Sequence, residues 1–129
     1  YRIDEQVPYS ISRDFKFAAA HCIPDHPGKC RHLHGHNYCV RVHLQASRLD
    51  ELGMVIDFAK LKVWMKEVMG RFDHQVLNEL PPFDRLNPTA EVLSEVVFEG
   101  IRERIDDPRV AVHRVEVWEN DSSCAVFEP

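Results

Sequence analysis

The feature that most constrains this chain is a strand that begins in histidines. Three histidines and a cysteine fall within Cys30-Arg31-His32-Leu33-His34-Gly35-His36. The residues that follow, Tyr38-Cys39-Val40-Arg41-Val42-His43-Leu44, alternate apolar and polar with the period of a half-buried strand. Carried backward, that phase puts His34 and His36 on the same side as Tyr38, Val40, Val42 and Leu44. Two imidazoles at i and i+2 on one strand face are able to meet one metal ion. An earlier run, Tyr9, Ile11, Phe15, Phe17 and Ala19, ends in phase at His21. If the two strands pair antiparallel, the end of the first lies beside the start of the second, and His21 joins His34 and His36. Three neutral histidines with an open fourth position are the pattern of a catalytic zinc. His43 has the opposite phase, and neither it nor His26, His32 and His113 is expected to ligate.

The rest of the chain supplies a scaffold for that pair of strands. Strand one is expected over residues 9–20, after a lead-in over 1–8. Residues 22–29, with Pro24, Pro27 and Gly28, read as a loop. Strand two fades near Gln45, residues 46–53 turn the chain, and Met54-Val55-Ile56 is briefly extended. Asp57 is placed to cap a helix that turns Phe58, Leu61, Met65 and Val68 to one side and ends at Gly70. Residues 71–86 read as irregular. Asn87 is expected to cap a second helix with Pro88 in its first position and an apolar stripe of Val92, Leu93, Val96, Val97, Ile101 and Ile105. Residues 110–119 alternate as strand three, Asn120-Asp121-Ser122 turns, and residues 123–127 form strand four. The order ββααββ predicts an α+β fold, a four-stranded antiparallel sheet with two helices on one face. Its other face and both edges are left uncovered, which oligomerisation through the edges would resolve.

At 129 residues the chain is expected to form one domain over 1–129. A net charge of −5, from 16 basic and 21 acidic residues, argues against a nucleic-acid binder. No apolar run approaches the roughly 20 residues of a membrane helix, and no leader pattern opens the sequence, which begins at Tyr1 rather than Met. Cys22, Cys30, Cys39 and Cys124 are unevenly spaced and form no CxxC, so reduced thiols and a cytoplasmic location are expected. The same absence of CxxC and HxxxH spacing weakens the rival of a closed structural zinc site.

Four further features carry chemistry. Cys30 stands between Lys29 and Arg31, and flanking positive charge favours a reactive thiolate. Asp73 beside His74 is able to orient an imidazole for proton transfer, although such a pair is more often a solvated loop. Glu119 ends strand three in phase with Val115 and Val117, where a carboxylate would accept two hydrogen bonds from an amino-pyrimidinone edge. Thr89 and Glu91 stand at a helix start, where local capping accounts for them.

In order along the chain, Phe17-Ala18-Ala19-Ala20-His21, Cys30, Leu33-His34-Gly35-His36-Asn37, Gly53-Met54-Val55-Ile56-Asp57-Phe58, Asp73-His74 with Leu77-Asn78, Asn87-Pro88-Thr89-Ala90-Glu91, and Glu119 resemble the 6-pyruvoyltetrahydropterin and 6-carboxytetrahydropterin synthase family. Ala18 and Asn120 depart from residues common there. The resemblance implies the tunnelling fold, a homohexamer made of two trimers, and active sites between subunits. It implies Zn2+ on His21, His34 and His36. It further implies proton transfer by Cys30, Asp73 and His74, and a pterin pocket with Glu119 as anchor, lined by Thr89 and Glu91. The substrate implied is 7,8-dihydroneopterin triphosphate. Short loops are similar to the bacterial 6-carboxy-5,6,7,8-tetrahydropterin synthase branch of queuosine (7-deazaguanine) biosynthesis, which releases acetaldehyde and triphosphate. The pyruvoyl-forming synthase, a zinc-dependent hydrolase with no need of Cys30, and a zinc-stabilised interaction module remain alternatives.

Overall fold

The computed structural model of the protein describes residues 6–129. The expected lead-in therefore lies partly outside the described residues, and Gln6–Pro8 have no regular structure. The two alternating runs form long strands, β1 (Tyr9–His21) and β2 (His34–Ala46). They pair antiparallel in unbroken register from Tyr9 opposite Ala46 to His21 opposite His34. Helix α1 (Phe58–Met69) follows, then a two-residue strand β3 (Gln75–Val76), helix α2 (Ala90–Arg104), and strands β4 (Val110–Asn120) and β5 (Ser123–Phe127). The sheet order is β3-β1-β2-β4-β5. The chain is thus α+β as expected, with both helices packed against the sheet, but the sheet has five strands rather than four. The fifth, β3, lies in the segment read as irregular and pairs parallel with β1 through Ala19 and Ala20.

Alternation decides which side is core. Phe17, Tyr38, Val40, Val42, Leu44, Val115 and Val117 point under the helices and are buried with Leu61, Met65, Leu93, Val97 and Ile101. The helices approach closely at Gly100, where a Cβ would come within 2.8 Å of Val68 Cγ1. The opposite sheet face carries Asp14, Lys16, Arg41, His43, Glu116 and Trp118 and no helix.

Four local expectations are corrected. Met54-Val55-Ile56 is a bend rather than a strand, although Val55 and Ile56 are buried. Phe58 is exposed, and the buried side of α1 is Leu61, Trp64, Met65, Val68 and Met69, because Phe58 is the first residue of the helix and projects beyond the sheet contact. Asp57 does cap α1, accepting from Ala59 N–H at 2.8 Å. The cap of α2 is Thr89 and not Asn87: its Oγ1 accepts from Val92 N–H at 3.1 Å, so the helix starts two residues later than the Asn-Pro pair suggests. Finally, β4 does not alternate throughout. His43 pairs with Arg114 and Leu44 with Val112, so His113 is an extra residue in β4, a β-bulge.

Candidate metal centre

The strand register delivers the three histidines. His21 ends β1 and His34 begins β2 directly opposite it, with His36 one pleat further along the same face. Their ring centroids lie 4.6 to 5.0 Å apart. One ring nitrogen from each falls within 4.8 Å of the others.

The outward nitrogens fix the tautomers. His21 Nδ1–H donates to the Pro88 carbonyl at 2.7 Å, and His34 Nδ1–H donates to the His32 carbonyl at 2.7 Å. A carbonyl only accepts, so in both neutral rings Nδ1 carries the proton and Nε2 offers a lone pair. This is the arrangement by which metal-ligating histidines are oriented. His21 Nε2 and His36 Nε2 lie 3.1 Å apart. Bonds of about 2.0–2.1 Å in a tetrahedron place neighbouring ligand atoms roughly 3.3 Å apart, so this pair has the spacing of two ligands on one tetrahedral ion. Burial pushes the pKa of His21 down; the Pro88 bond opposes this, and the charges of His34 and His36 reinforce it. Burial likewise pushes His36 down, against the pull of Glu119. Both therefore favour the neutral, ligating form. The Tyr38 hydroxyl sits 3.2 Å from His21 Nδ1, and burial and then Glu119 push its phenol up, so it stays protonated.

The remaining expected residues divide into two groups. Glu119 reaches the cluster: its Oε2 is 3.6 Å from Nε2 of both His21 and His36, and its side chain is 27% exposed. It stands at a second bulge, where β4 and β5 pair Trp118 with Cys124 and Asn120 with Ser123 and leave Glu119 between. Glu119, Ala90 and Glu91 share a small cavity of about 230 Å³ with Ser123–Val126, next to the Thr89 cap. Cys30 lies in a one-turn 3-10 helix, Lys29–Arg31, in the loop between His21 and His34, half-buried, with its carbonyl accepting from Ile23 N–H. Asp73 and His74 sit beside β1 at Ala18: Asp73 Oδ1 accepts from Ala18 N–H at 3.1 Å, and His74 N–H donates to the Ala18 carbonyl at 2.6 Å. His74 takes φ 60 and points outward, 81% exposed, with Nδ1 2.9 Å from Asp73 Oδ1. Among the described residues no hydrogen bond joins Cys30 to either of them.

Comparison with known proteins decides the family. The family described as 6-pyruvoyl tetrahydropterin synthase matches residues 10–129. The chain belongs to that family. It is 38% identical over 122 residues to the 6-carboxy-5,6,7,8-tetrahydropterin synthase of Synechocystis sp., which covers 91% of each chain. It is 33% identical over 133 residues to the Bacillus subtilis protein of the same name, covering 96% of this chain and 89% of that one. The solved structure of Caenorhabditis elegans 6-pyruvoyl tetrahydropterin synthase superposes with a TM-score of 0.85 at 27% identity, over 94% of this chain and 95% of that one.

The protein is thus a member of the pterin synthase family, and its sheet and two helices are the fold of that family. Sequence reasoning passed over the parts of the centre that are backbone. The carbonyls of Pro88 and His32 have no side-chain signature, and only the fold aims them. Tyr38 was detectable, since it continues the phase of His34 and His36.

Proposed function

We propose that this pterin synthase is a zinc-dependent 6-carboxy-5,6,7,8-tetrahydropterin synthase. As a carbon–carbon lyase it converts 7,8-dihydroneopterin triphosphate and water to 6-carboxytetrahydropterin, acetaldehyde and triphosphate. The observation that carries the reading is the convergence of His21, His34 and His36, with the outward nitrogens of His21 and His34 tied to carbonyls. The names of the 38% and 33% identical relatives favour the carboxy-forming product.

In this reading His21, His34 and His36 hold the zinc, which supplies a Lewis acid for the oxygens of the substrate side chain. Cys30 takes and returns protons as a thiolate. Asp73 holds His74 by its Nδ1, which leaves Nε2 of the exposed ring to exchange protons with a neighbouring subunit's substrate. Glu119 accepts hydrogen bonds from the pterin edge, and Thr89 and Glu91 line that pocket. The chain acts as one domain within a cytoplasmic homohexamer, a dimer of trimers, in the queuosine (7-deazaguanine) pathway. Pairing through the exposed β5 edge and along β1, beyond the two residues that β3 covers, would complete the sheets.

A pyruvoyl-forming activity is the second reading, favoured by the name of the Caenorhabditis elegans neighbour. The test is to incubate zinc-loaded protein with 7,8-dihydroneopterin triphosphate and identify the pterin by mass while trapping acetaldehyde. The carboxy product with acetaldehyde is expected. A pyruvoyl product without acetaldehyde selects the second reading, and a dephosphorylated pterin with its side chain intact overturns both.

A further inference from the structure

We infer that Asn78 is a positioning residue for the metal ligand His21, holding the end of β1 through a two-point clamp on the backbone of Cys22. The inference rests on the metal reading above and not on which pterin is made.

On its inner edge β1 is held by β2 as far as His21 itself. On its outer edge β3 pairs only with Ala19 and Ala20, so the ladder stops one residue short of the ligand. The carboxamide of Asn78 takes over from there. Its Oδ1 accepts from Cys22 N–H at 2.9 Å, and its Nδ2–H donates to the Cys22 carbonyl at 2.9 Å. A side chain thus satisfies the N–H and the C=O of Cys22, the backbone groups that a longer β3 would have paired. Asn78 is itself fixed, because the short turn Leu77–Glu79 is anchored by fully buried Leu77.

His21 is therefore gripped at three points: by β2, by Asn78 one residue on, and by the Pro88 carbonyl at its ring. His34 leans instead on the carbonyl of His32, two residues away in an exposed loop. Among the described residues the His36 ring has no hydrogen bond to a carbonyl. His21 is consequently the fixed point against which the other two ligands are aligned. The role needs a donor and an acceptor side by side, which a carboxamide has and a carboxylate lacks.

The test measures Zn2+ affinity by competition with a chromogenic chelator, and the visible absorption of the Co2+-substituted protein, for wild type, N78A, N78D, H21A and V112A. Val112 is a buried residue on β4 opposite Leu44, at the far end of β2 from His34, and V112A serves as a stability control. Expected are a loss of affinity of about tenfold or more in N78A with altered Co2+ bands, and a smaller loss in N78D. V112A should lower the melting temperature yet keep Zn2+ affinity within about twofold, since distant effects on separate sites do not couple. Wild-type affinity and Co2+ spectrum in N78A overturn the inference, as they do in N78D if N78A does not fold. Equal weakening by V112A overturns it too, since general destabilisation would then be the cause. H21A binding like wild type overturns the metal assignment itself. None of these arms depends on turnover, so a failed pterin assay leaves the inference standing.

Discussion

Strand β2 carries two sets of histidine chemistry, one on each face, and they are built in opposite ways. On the bare face His43 bonds through Nε2 to Glu116, which is only 6% exposed and also accepts from Arg114 Nε and Trp118 Nε1. All three of these donors are supplied by the chain itself. On the helix side, His21, His34 and His36 turn their lone pairs toward one another, and the nearest carboxylate, Glu119, stays 3.6 Å away from two of them. Three acceptors facing one point suit a cation. The count of histidines does not separate the two places; the direction of their lone pairs does.

Breaking the open set should have the largest effect. His34→Ala is expected to reduce Zn2+ affinity beyond the roughly 10–100-fold typical of losing an outer partner, measured by chelator competition, whereas His43→Ala should leave it unchanged. Cys30→Ala asks whether the open set is also the reacting one. Zinc content and fold should persist while pterin turnover falls by about 10²-fold or more. Breaking the closed network should cost stability only: Glu116→Ala leaves three donors without their acceptor and should destabilise the fold by about 1–3 kcal/mol in urea melts with Zn2+ affinity unmoved.

The smallest effect concerns pH. Burial pushes the Glu116 carboxyl up, but the hydrogen bonds from His43, Trp118 and Arg114 outweigh it and hold its pKa below the ordinary carboxyl value of 4.5. A carboxyl depressed by folding contributes stability that is present above its unfolded pKa and lost as pH falls through the folded value. Wild type should therefore weaken as pH drops below about 4.5, and Glu116→Gln should flatten that limb of the stability profile.

Much of this was legible in the sequence. The strands declared themselves because thirteen-residue β1 and β2 alternate almost without exception, and the same phase put His21, His34 and His36 on the buried face. β3 was invisible because two residues carry no period, and its pairing with Ala19 and Ala20 joins segments more than fifty residues apart in the chain. The shift of the α2 cap from Asn87 to Thr89 arose because both residues are good caps, and the need to aim the Pro88 carbonyl at His21 exists only in three dimensions. Asp73 and His74 read as a reactive pair, yet the fold also uses both to hold Ala18, a role that adjacency in the chain does not reveal.

The bulge at His113 resets the parity of β4. Val110 and Val112, at even positions, are buried before it; Val115 and Val117, at odd positions, are buried after it, and Glu119 follows in the odd frame. A strand of strict alternation that buried Val110 and Val112 would have turned Glu119 to the bare face, away from the histidines. The inserted residue acts as a frameshift in side-chain space, so one strand serves the core at one end and the histidine cluster at the other. Its trace remains in the molecule: among the described residues, His113 Nδ1 is the buried side-chain atom left without a hydrogen-bond partner. Deleting one residue there would restore a regular ladder and carry Glu119 to the wrong side of the sheet.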